Sequence, residues 1–282
     1  MVNEYSPKRV VVLIDASRNS LEALNTAIDI ACHWQTELLA LFIEEEDLLR
    51  CAAYPWAREI GLSGAVRKID RNSLEESMRH RAEEARRALN RCAGSRQIKW
   101  QLHVSRGRVI PETLQKISAD DFLILGRVGY ARTRGLRLGS TARAVTRQAP
   151  GPVMVWEQPV AGRQTQLRAA LLIEADSTSH SGLETLRLAH AMLGEHETLA
   201  TVVVEPENDS ELIDKQLRPW LLDHYPRARL ISTTDIDAEQ IAGIVADDCI
   251  GKLILSRRSQ LIHYEAAELL VDRLRIPLLV LP

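Results

Sequence analysis

The residues of this chain that are best suited to bind a ligand lie in one glycine-rich stretch, Leu125–Val145. Its sequence, LGRVGYARTRGLRLGSTARAV, contains four glycines, five arginines and no acidic residue. Glycine tolerates positive φ and lets backbone N–H groups approach a ligand without a Cβ in the way. Ser140 and Thr141 stand where the next helix is expected to begin, and a helix N-terminus offers unpaired N–H donors to an anion. The stretch therefore predicts a phosphate site.

This stretch differs from the common glycine motifs and lacks catalytic groups. The chain has no Gly-Lys-Ser/Thr sequence, and its first predicted strand ends in IDAS without the dinucleotide-binding GxGxxG pattern. The segment Gly126–Gln148 contains no Asp, Glu or His, whereas rapid phosphoryl transfer needs a positioned nucleophile and usually a held metal ion. We therefore expect no catalytic residue and no metal ligands, and at most a weak ATPase or self-phosphorylation activity. Four arginines can neutralise phosphate charge: Arg127, Arg132, Arg134 and Arg137.

Composition limits what else the protein can bind. The 282 residues carry a net charge of -2, which gives no general attraction to nucleic acid, and aromatic residues make up only 4%. None of the cysteines has CxxC spacing, and no His/Cys cluster has zinc spacing. No apolar run approaches the roughly 20 residues that cross a bilayer, and the N-terminus has no signal-peptide pattern. We expect a cytoplasmic protein that binds no nucleic acid and has no membrane span.

Strand-like and helix-like segments alternate along the first half of the chain. Short apolar runs predict strands, while the apolar period of Ser20–Trp34 and the capping box Ser73-x-x-Glu76 predict helices between them. This alternation is typical of an α/β fold with a parallel sheet. The predicted strands are Arg9–Asp15, Glu37–Ile43, Ile98–Val104, Phe122–Leu125 and a run that begins at Pro152.

The same pattern begins again in the second half. Ala169–Ile173 corresponds to the first strand, with Glu174 in the position of Asp15. Lys252–Arg257 (KLILSR) corresponds to Phe122–Arg127 (FLILGR). Two degenerate copies of one unit in tandem explain these correspondences. We therefore predict a first domain over residues 1–158, a linker over 159–166 and a second domain over 167–282.

The glycine spacing resembles the motif of a known family. Gly126, two residues, Gly129, nine residues and Gly139-Ser140 are similar to the ATP-binding signature of universal stress proteins. The similarity extends to the first strand and to Ala149–Val155 (APGPVMV), so it covers nearly all of the first half and, less closely, the second. It implies two tandem Rossmann-like domains of the HUP type, each with a mainly parallel five-stranded sheet in the order 3-2-1-4-5. Sheets of this kind bind ligands where the strand order reverses.

The resemblance also implies where a nucleotide is held. In the family, the glycine motif holds the ribose and phosphates. The acidic residue that ends the first strand and the backbone at the end of the second strand hold the nucleoside. The implied cofactor is ATP, with or without Mg2+. The implied binding residues are Asp15, Ala16, Ile43, Gly126, Arg127, Gly129, Gly139, Ser140 and Thr141.

The second copy departs from that motif. The sequence Ser256-Arg257-Arg258-Ser259 stands where the motif should begin, and no glycine follows before Pro277. We therefore expect one adenine nucleotide per chain and a structural or regulatory role for the second copy. The last strands of the copies, Val153–Trp156 and Leu278–Leu281, are apolar edges that need cover. In the family such strands pair across a twofold axis, so we expect them to pair here within one chain, as a pseudo-dimer. A homodimer remains open.

The resemblance implies a nucleotide-responsive regulatory protein in stress adaptation, acting on a protein partner that the sequence does not name. The alternative is a slow ATPase, or a nucleotidyl or phosphoryl transferase, on the same fold. Against that alternative, the sequence has no HIGH-type or SGGxDS-type motif. A third interpretation, an interaction scaffold with two degenerate copies, conflicts with the intact glycines of the first copy.

Overall fold

The fold is seen in a computed structural model, which describes residues 6–60, 64–94, 96–127, 139–157, 167–174, 182–194, 196–205, 213–233, 236, 238–263 and 274–282. Gly129, Arg132, Arg134 and Arg137 of the glycine stretch lie outside the described residues, as does the predicted linker. The predicted domain limits at 158 and 167 therefore stay a prediction. No helix in the described ranges has both the length and the apolar character needed to cross a membrane.

Strands and helices alternate along the chain. The described strands are β1 (Arg9–Ile14), β2 (Glu37–Glu45), β3 (Arg58–Ile60), β4 (Val66–Lys68), β5 (Trp100–Gly107), β6 (Asp121–Gly126), β7 (Val153–Trp156), β8 (Arg168–Ile173), β9 (Thr198–Val204), β10 (Arg229–Ser232), β11 (Lys252–Ser256) and β12 (Leu278–Leu281). The described helices are α1 (Arg18–His33), α2 (Glu46–Ala52), α3 (Arg71–Ala93), α4 (Val109–Lys116), α5 (Ser140–Gln148), α6 (Gly182–Met192), α7 (Arg218–His224), α8 (Ala238–Asp247) and α9 (Gln260–His263). A π-helical turn, Ile213–Leu217, runs directly into α7.

Most strands join one ten-stranded sheet, in the order β10-β9-β8-β11-β12-β7-β6-β1-β2-β5. Each half of the chain contributes five strands to this sheet, and the predicted pairing of the two halves makes it continuous. Strands β3 and β4 stand apart from the large sheet as an antiparallel hairpin. When the strands of the large sheet are numbered within each half, without that hairpin, both halves have the order 3-2-1-4-5.

The two halves of the sheet meet at β7 and β12. These strands pair antiparallel, with Leu279 opposite Met154 and Val280 opposite Val153, which confirms the predicted pairing within one chain. The other pairings of the large sheet are parallel. Met154 and Leu279 are 3% and 0% exposed, so apolar packing is continuous across the junction.

Helices cover both faces of the sheet, which explains its continuous apolar strands. In β1, Val10, Val11 and Val12 are all fully buried. Val10 and Val12 pack in the core that includes residues of α1 and α3, while Val11 packs in the core that includes residues of α5. A parallel strand that is buried on both faces has an unbroken apolar sequence. It therefore lacks the alternation of apolar and polar residues that is typical of a strand buried on one face only.

The start of helix α3 differs from the sequence prediction. The helix begins at Arg71, and its N-cap is Asp70, whose carboxylate accepts a hydrogen bond of 2.8 Å from the backbone N–H of Ser73. The predicted N-cap at Ser73 is therefore wrong, since that residue already lies in the first turn. Asp and Ser are both favoured N-caps, and the local sequence offers each of them.

Candidate functional site

The predicted site residues gather at one edge of the sheet. Strand β1 pairs in parallel with β6 on one side and with β2 on the other. The carboxyl ends of these strands therefore share an edge, at which Asp15 follows β1, Ile43 lies near the end of β2 and Gly126 ends β6. Helices α1 and α5 begin on this edge, since they follow β1 and β6 along the chain. The strand order reverses here, which is where doubly wound sheets place their ligands.

The turn after β1 ties the Asp15 carboxylate to the start of α1. Its Oδ1 accepts a hydrogen bond of 2.9 Å from the backbone N–H of Ser17. The backbone N–H of Asp15 donates to Ser20 Oγ at 3.3 Å. Ala16, between Asp15 and Ser17, has a φ of 60°, in the left-handed region that non-glycine residues rarely adopt. The carboxylate at the end of β1 is therefore held in a defined orientation by its own turn.

Gly126 lies against the first turn of α1. A Cβ built at this position would be 3.3 Å from the backbone carbonyl carbon of Asn19 and 3.4 Å from the backbone nitrogen of Ser20. Either neighbour would have to give way by a few tenths of an ångström. Close helix approach is thus a reason for glycine at 126 that does not involve a ligand.

The backbone of Arg127 closes the base of the glycine stretch. Its N–H donates to the Trp156 carbonyl at 2.9 Å, and its own carbonyl accepts a hydrogen bond of 3.0 Å from the N–H of Gly139. Residues 127 and 139 are therefore joined, although eleven residues separate them in the sequence. The indole Nε1 of Trp156 is buried and finds no hydrogen-bond partner in the part of the chain that the structure describes.

The side chain of Arg127 lies in the junction between the two halves of the sheet. It is 4% exposed, and its guanidinium donates a hydrogen bond of 2.6 Å to the carbonyl of Leu274. Its Nε lies 3.4 Å from a carboxylate oxygen of Glu157. Burial raises the pKa of Glu157, although the positive charges of Arg127 and Arg275 oppose that shift. The structure thus places the Arg127 guanidinium in contact with Leu274 and Glu157.

Gly139 is the N-cap of α5, and as a glycine it has no side chain with which to cap the helix. Ser140 is the first residue of the helix and is exposed, while Thr141 is half-buried. The first turn of α5 contains no acidic residue. The leading N–H groups and the positive end of the helix dipole favour an anion at this position. Among the described residues, no group of three or more His, Cys, Asp or Glu side chains is arranged to hold a metal ion.

The second half repeats the backbone arrangement without the glycines. Arg257 follows β11 as Arg127 follows β6, and its N–H donates to the Leu281 carbonyl at 2.7 Å. Its guanidinium hydrogen-bonds to the carbonyls of Thr146 and Gly151, and burial lowers its pKa. The helix after this residue is the four-residue α9. Sequence reasoning missed the carbonyl partners of both arginine side chains, and no local signal could have found them because those carbonyls are over a hundred residues away.

The fold and the sheet edge define a doubly wound, Rossmann-like α/β protein, in whose first half the strand order reverses between β1 and β6. A sequence profile of the universal stress protein family matches residues 7–156, which is more than half of the chain. The chain therefore belongs to the universal stress protein family, and the resemblance noted in the sequence is confirmed.

Curated relatives are similar in sequence, and solved structures share the fold. The chain is 27% identical over 186 residues to the universal stress proteins Rv2028c and MT2087 of two Mycobacterium tuberculosis strains, a match that covers 65% of this chain and 60% of either relative. It shares its fold, at 16% identity and a TM-score of 0.68, with a universal stress protein from Archaeoglobus fulgidus, with 98% of each chain covered. A functionally unknown protein from Pseudomonas aeruginosa, PA1789, is similar at 16% identity and a TM-score of 0.61, over 100% of this chain and 94% of that one.

Proposed function

We propose that the first half binds ATP, or another adenine nucleotide, at the carboxyl edge of β1, β2 and β6, and that the protein acts as a nucleotide-responsive regulator in stress adaptation. The observation that carries this proposal is the start of α5. That helix N-terminus has a glycine as its N-cap, and it follows β6, the strand that pairs with β1 and so lies next to the Asp15 turn. Membership of the family and the glycine spacing support the choice of ligand.

Each residue of the site has a role in this proposal. The N–H groups of α5 and the hydroxyls of Ser140 and Thr141 bind the phosphates, because unpaired donors and the helix dipole favour anions. The Asp15 carboxylate, already oriented by the Ser17 N–H, accepts hydrogen bonds from the nucleoside. Ile43 borders the base. Mg2+, if it accompanies ATP, neutralises phosphate charge and relies on phosphate oxygens for much of its coordination.

Calorimetric titration of the purified chain with ATP tests the binding proposal. We expect one site per chain, because the second half has no glycine after Gly251 and therefore lacks the glycine motif. Two equivalent sites would contradict the asymmetry between the halves. No heat and no saturation with any adenine nucleotide would overturn the binding proposal itself.

The variant Gly139→Val tests the role of the α5 N-terminus. It places a branched side chain where the backbone must meet a phosphate, so affinity should fall by more than about tenfold, or about 1.4 kcal/mol. Gly243→Val is the matched control, since a Cβ at Gly243 has no neighbour within 4 Å. If Gly139→Val folds and binds ATP as tightly as the control, the phosphate assignment is wrong.

We further propose that the bound nucleotide is hydrolysed slowly or not at all. The stretch from Gly126 to Gln148 supplies charge and donors but contains no Asp, Glu or His to act as a base. Turnover should therefore lie far below the roughly 10 s⁻¹ of typical enzymes. The rate of phosphate release from Mg-ATP, measured with the purified chain, gives this turnover. Rapid release that disappears in Asp15→Ala would favour the enzyme alternative and give Asp15 a catalytic role.

A further inference from the structure

Two arginines at equivalent positions flank the junction between the halves of the sheet. Arg127 follows β6, Arg257 follows β11, and each donates its backbone N–H to the last residue of the neighbouring strand, at 2.9 Å and 2.7 Å. Their side chains then cross the junction in opposite directions. Arg127 reaches the Leu274 carbonyl of the second half, while Arg257 reaches the Thr146 and Gly151 carbonyls of the first.

The second half therefore holds the far end of the helix whose N-terminus is the proposed phosphate site. The guanidinium of Arg257 donates to Thr146, in the last turn of α5, at 3.2 Å. In the reverse direction, Arg147 in the same turn donates through Nε and Nη2 to the carbonyl of Ile262, at 3.0 Å and 2.6 Å. An α-helix of this length is a rigid rod of about 13 Å, so fixing its last turn also fixes where its first N–H groups point.

Arg127 joins the junction to the other side of the same site. Its buried guanidinium is held by the second half, and its carbonyl accepts the N–H of Gly139, the N-cap of α5. Both ends of α5 are thus connected to the second half through hydrogen bonds. The charge of Arg127 is balanced by Glu157, while Arg257 is buried deeply enough for its pKa to be lowered. Buried arginines of this kind hold their partners in one geometry, because leaving either side unpaired is costly.

We propose that Arg257 is a positioning residue for the nucleotide site, so that the second half, which lacks the glycine motif, sets the affinity of the first. The inference rests on the proposed nucleotide binding. Its thermodynamic consequence is reciprocal: if the junction favours bound nucleotide, bound nucleotide must stabilise the junction by the same free energy.

Affinity measurements on a matched pair of variants test this proposal. Arg257→Met keeps the aliphatic stem and removes the donors, and we expect ATP affinity to fall by about tenfold. Arg257→Lys retains a single charged donor group in place of the guanidinium fork and should restore part of that loss. Arg168→Met is the control, because Arg168 also lies in the second half and donates to a backbone carbonyl, that of Asp248 at 2.8 Å, but does not cross the junction. The affinity of Arg168→Met for ATP should equal that of the parent.

A second readout separates positioning from general stability. In the parent, ATP should slow hydrogen exchange of the backbone amides of residue 257 and of β12. The slowing should be smaller in Arg257→Lys, a conservative variant that serves as a second comparison if Arg257→Met folds poorly. Equal affinities in the parent, Arg257→Met and Arg257→Lys would overturn the coupling and leave nucleotide binding standing. A parent that binds no adenine nucleotide would overturn both. Equal losses in Arg257→Met and Arg168→Met would show a stability effect and would also contradict the proposal.

Discussion

The ion pair that begins β6 allows a quantitative prediction for the variant Asp121→Asn. The Asp121 side chain is fully buried and accepts two hydrogen bonds from Arg9, at 2.9 Å from Nε and 2.7 Å from Nη2. It also accepts the N–H of Ser118 at 2.8 Å and the Ser118 hydroxyl at 3.0 Å. This carboxylate thereby joins β6 to β1, the two strands that carry the proposed site.

The size of the effect follows from these contacts. In Asp121→Asn the amide oxygen can still accept from Ser118, but the NH2 group faces the Arg9 guanidinium, donor against donor. A hydrogen bond to a charged group contributes about 1.5–3 kcal/mol, and removing one partner of a buried pair costs about 3–5 kcal/mol. Because the Arg9 side chain is 32% exposed and water can replace part of its loss, we expect a net destabilisation of about 2–3 kcal/mol at pH 7.

Urea unfolding followed by circular dichroism measures this loss, and its pH dependence checks the cause. Burial by itself would raise the pKa of Asp121, but the hydrogen bonds from Arg9 and Ser118 outweigh it and hold the pKa below its ordinary value. A carboxylate whose pKa is lower in the folded state than in the unfolded state stabilises the protein at pH values above its unfolded-state pKa. This stabilisation is lost as the pH falls through the folded-state pKa. The difference between parent and variant should therefore be constant from about pH 5 to 8 and shrink below about pH 4.

The matched control is Glu59→Gln, which removes the carboxylate of the Arg67–Glu59 pair on the exposed hairpin. Those side chains are 75% and 45% exposed, so the loss should stay below about 1 kcal/mol. The reasoning is refuted if Asp121→Asn costs no more than this control at pH 7. It is also refuted if the difference between parent and variant persists unchanged at low pH.

Two further predictions concern packing. Leu279→Ala removes a fully buried side chain from the junction between the sheet halves and should cost about 2–5 kcal/mol in urea unfolding; a loss below about 1 kcal/mol would show that the junction is not tightly packed. Gly151→Ala places a Cβ 2.5 Å from the Asp121 carbonyl oxygen and 2.7 Å from that of Ala119, so the backbone must move, at about 1–3 kcal/mol. The same change at Gly243 in α8, with no neighbour within 4 Å, should instead raise the unfolding free energy by about 0.5–1 kcal/mol, and an equal effect of the two changes would contradict this account.

The sequence by itself determined the fold class, the repeat and the position of the glycine stretch. Strands such as β1 are buried on both faces, so their sequences are continuous apolar runs. Such a run can be recognised from a few neighbouring residues. Turn and helix-start residues are local as well, which is why Asp15, Gly126 and Gly139 could be placed at strand and helix ends. The apolar edges of β7 and β12 also predicted their own pairing, since an uncovered apolar strand must find a neighbour.

Only the tertiary structure decided what several of these residues contact. The sequence predicts a phosphate role for Arg127. In the folded chain its guanidinium contacts Leu274 and Glu157, and the residues around position 127 do not predict either contact. Close approach of α1 gives Gly126 a packing role that its spacing does not reveal. Periodicity and turn preferences act over a few residues, whereas these contacts join positions that are distant in sequence and depend on how whole elements pack.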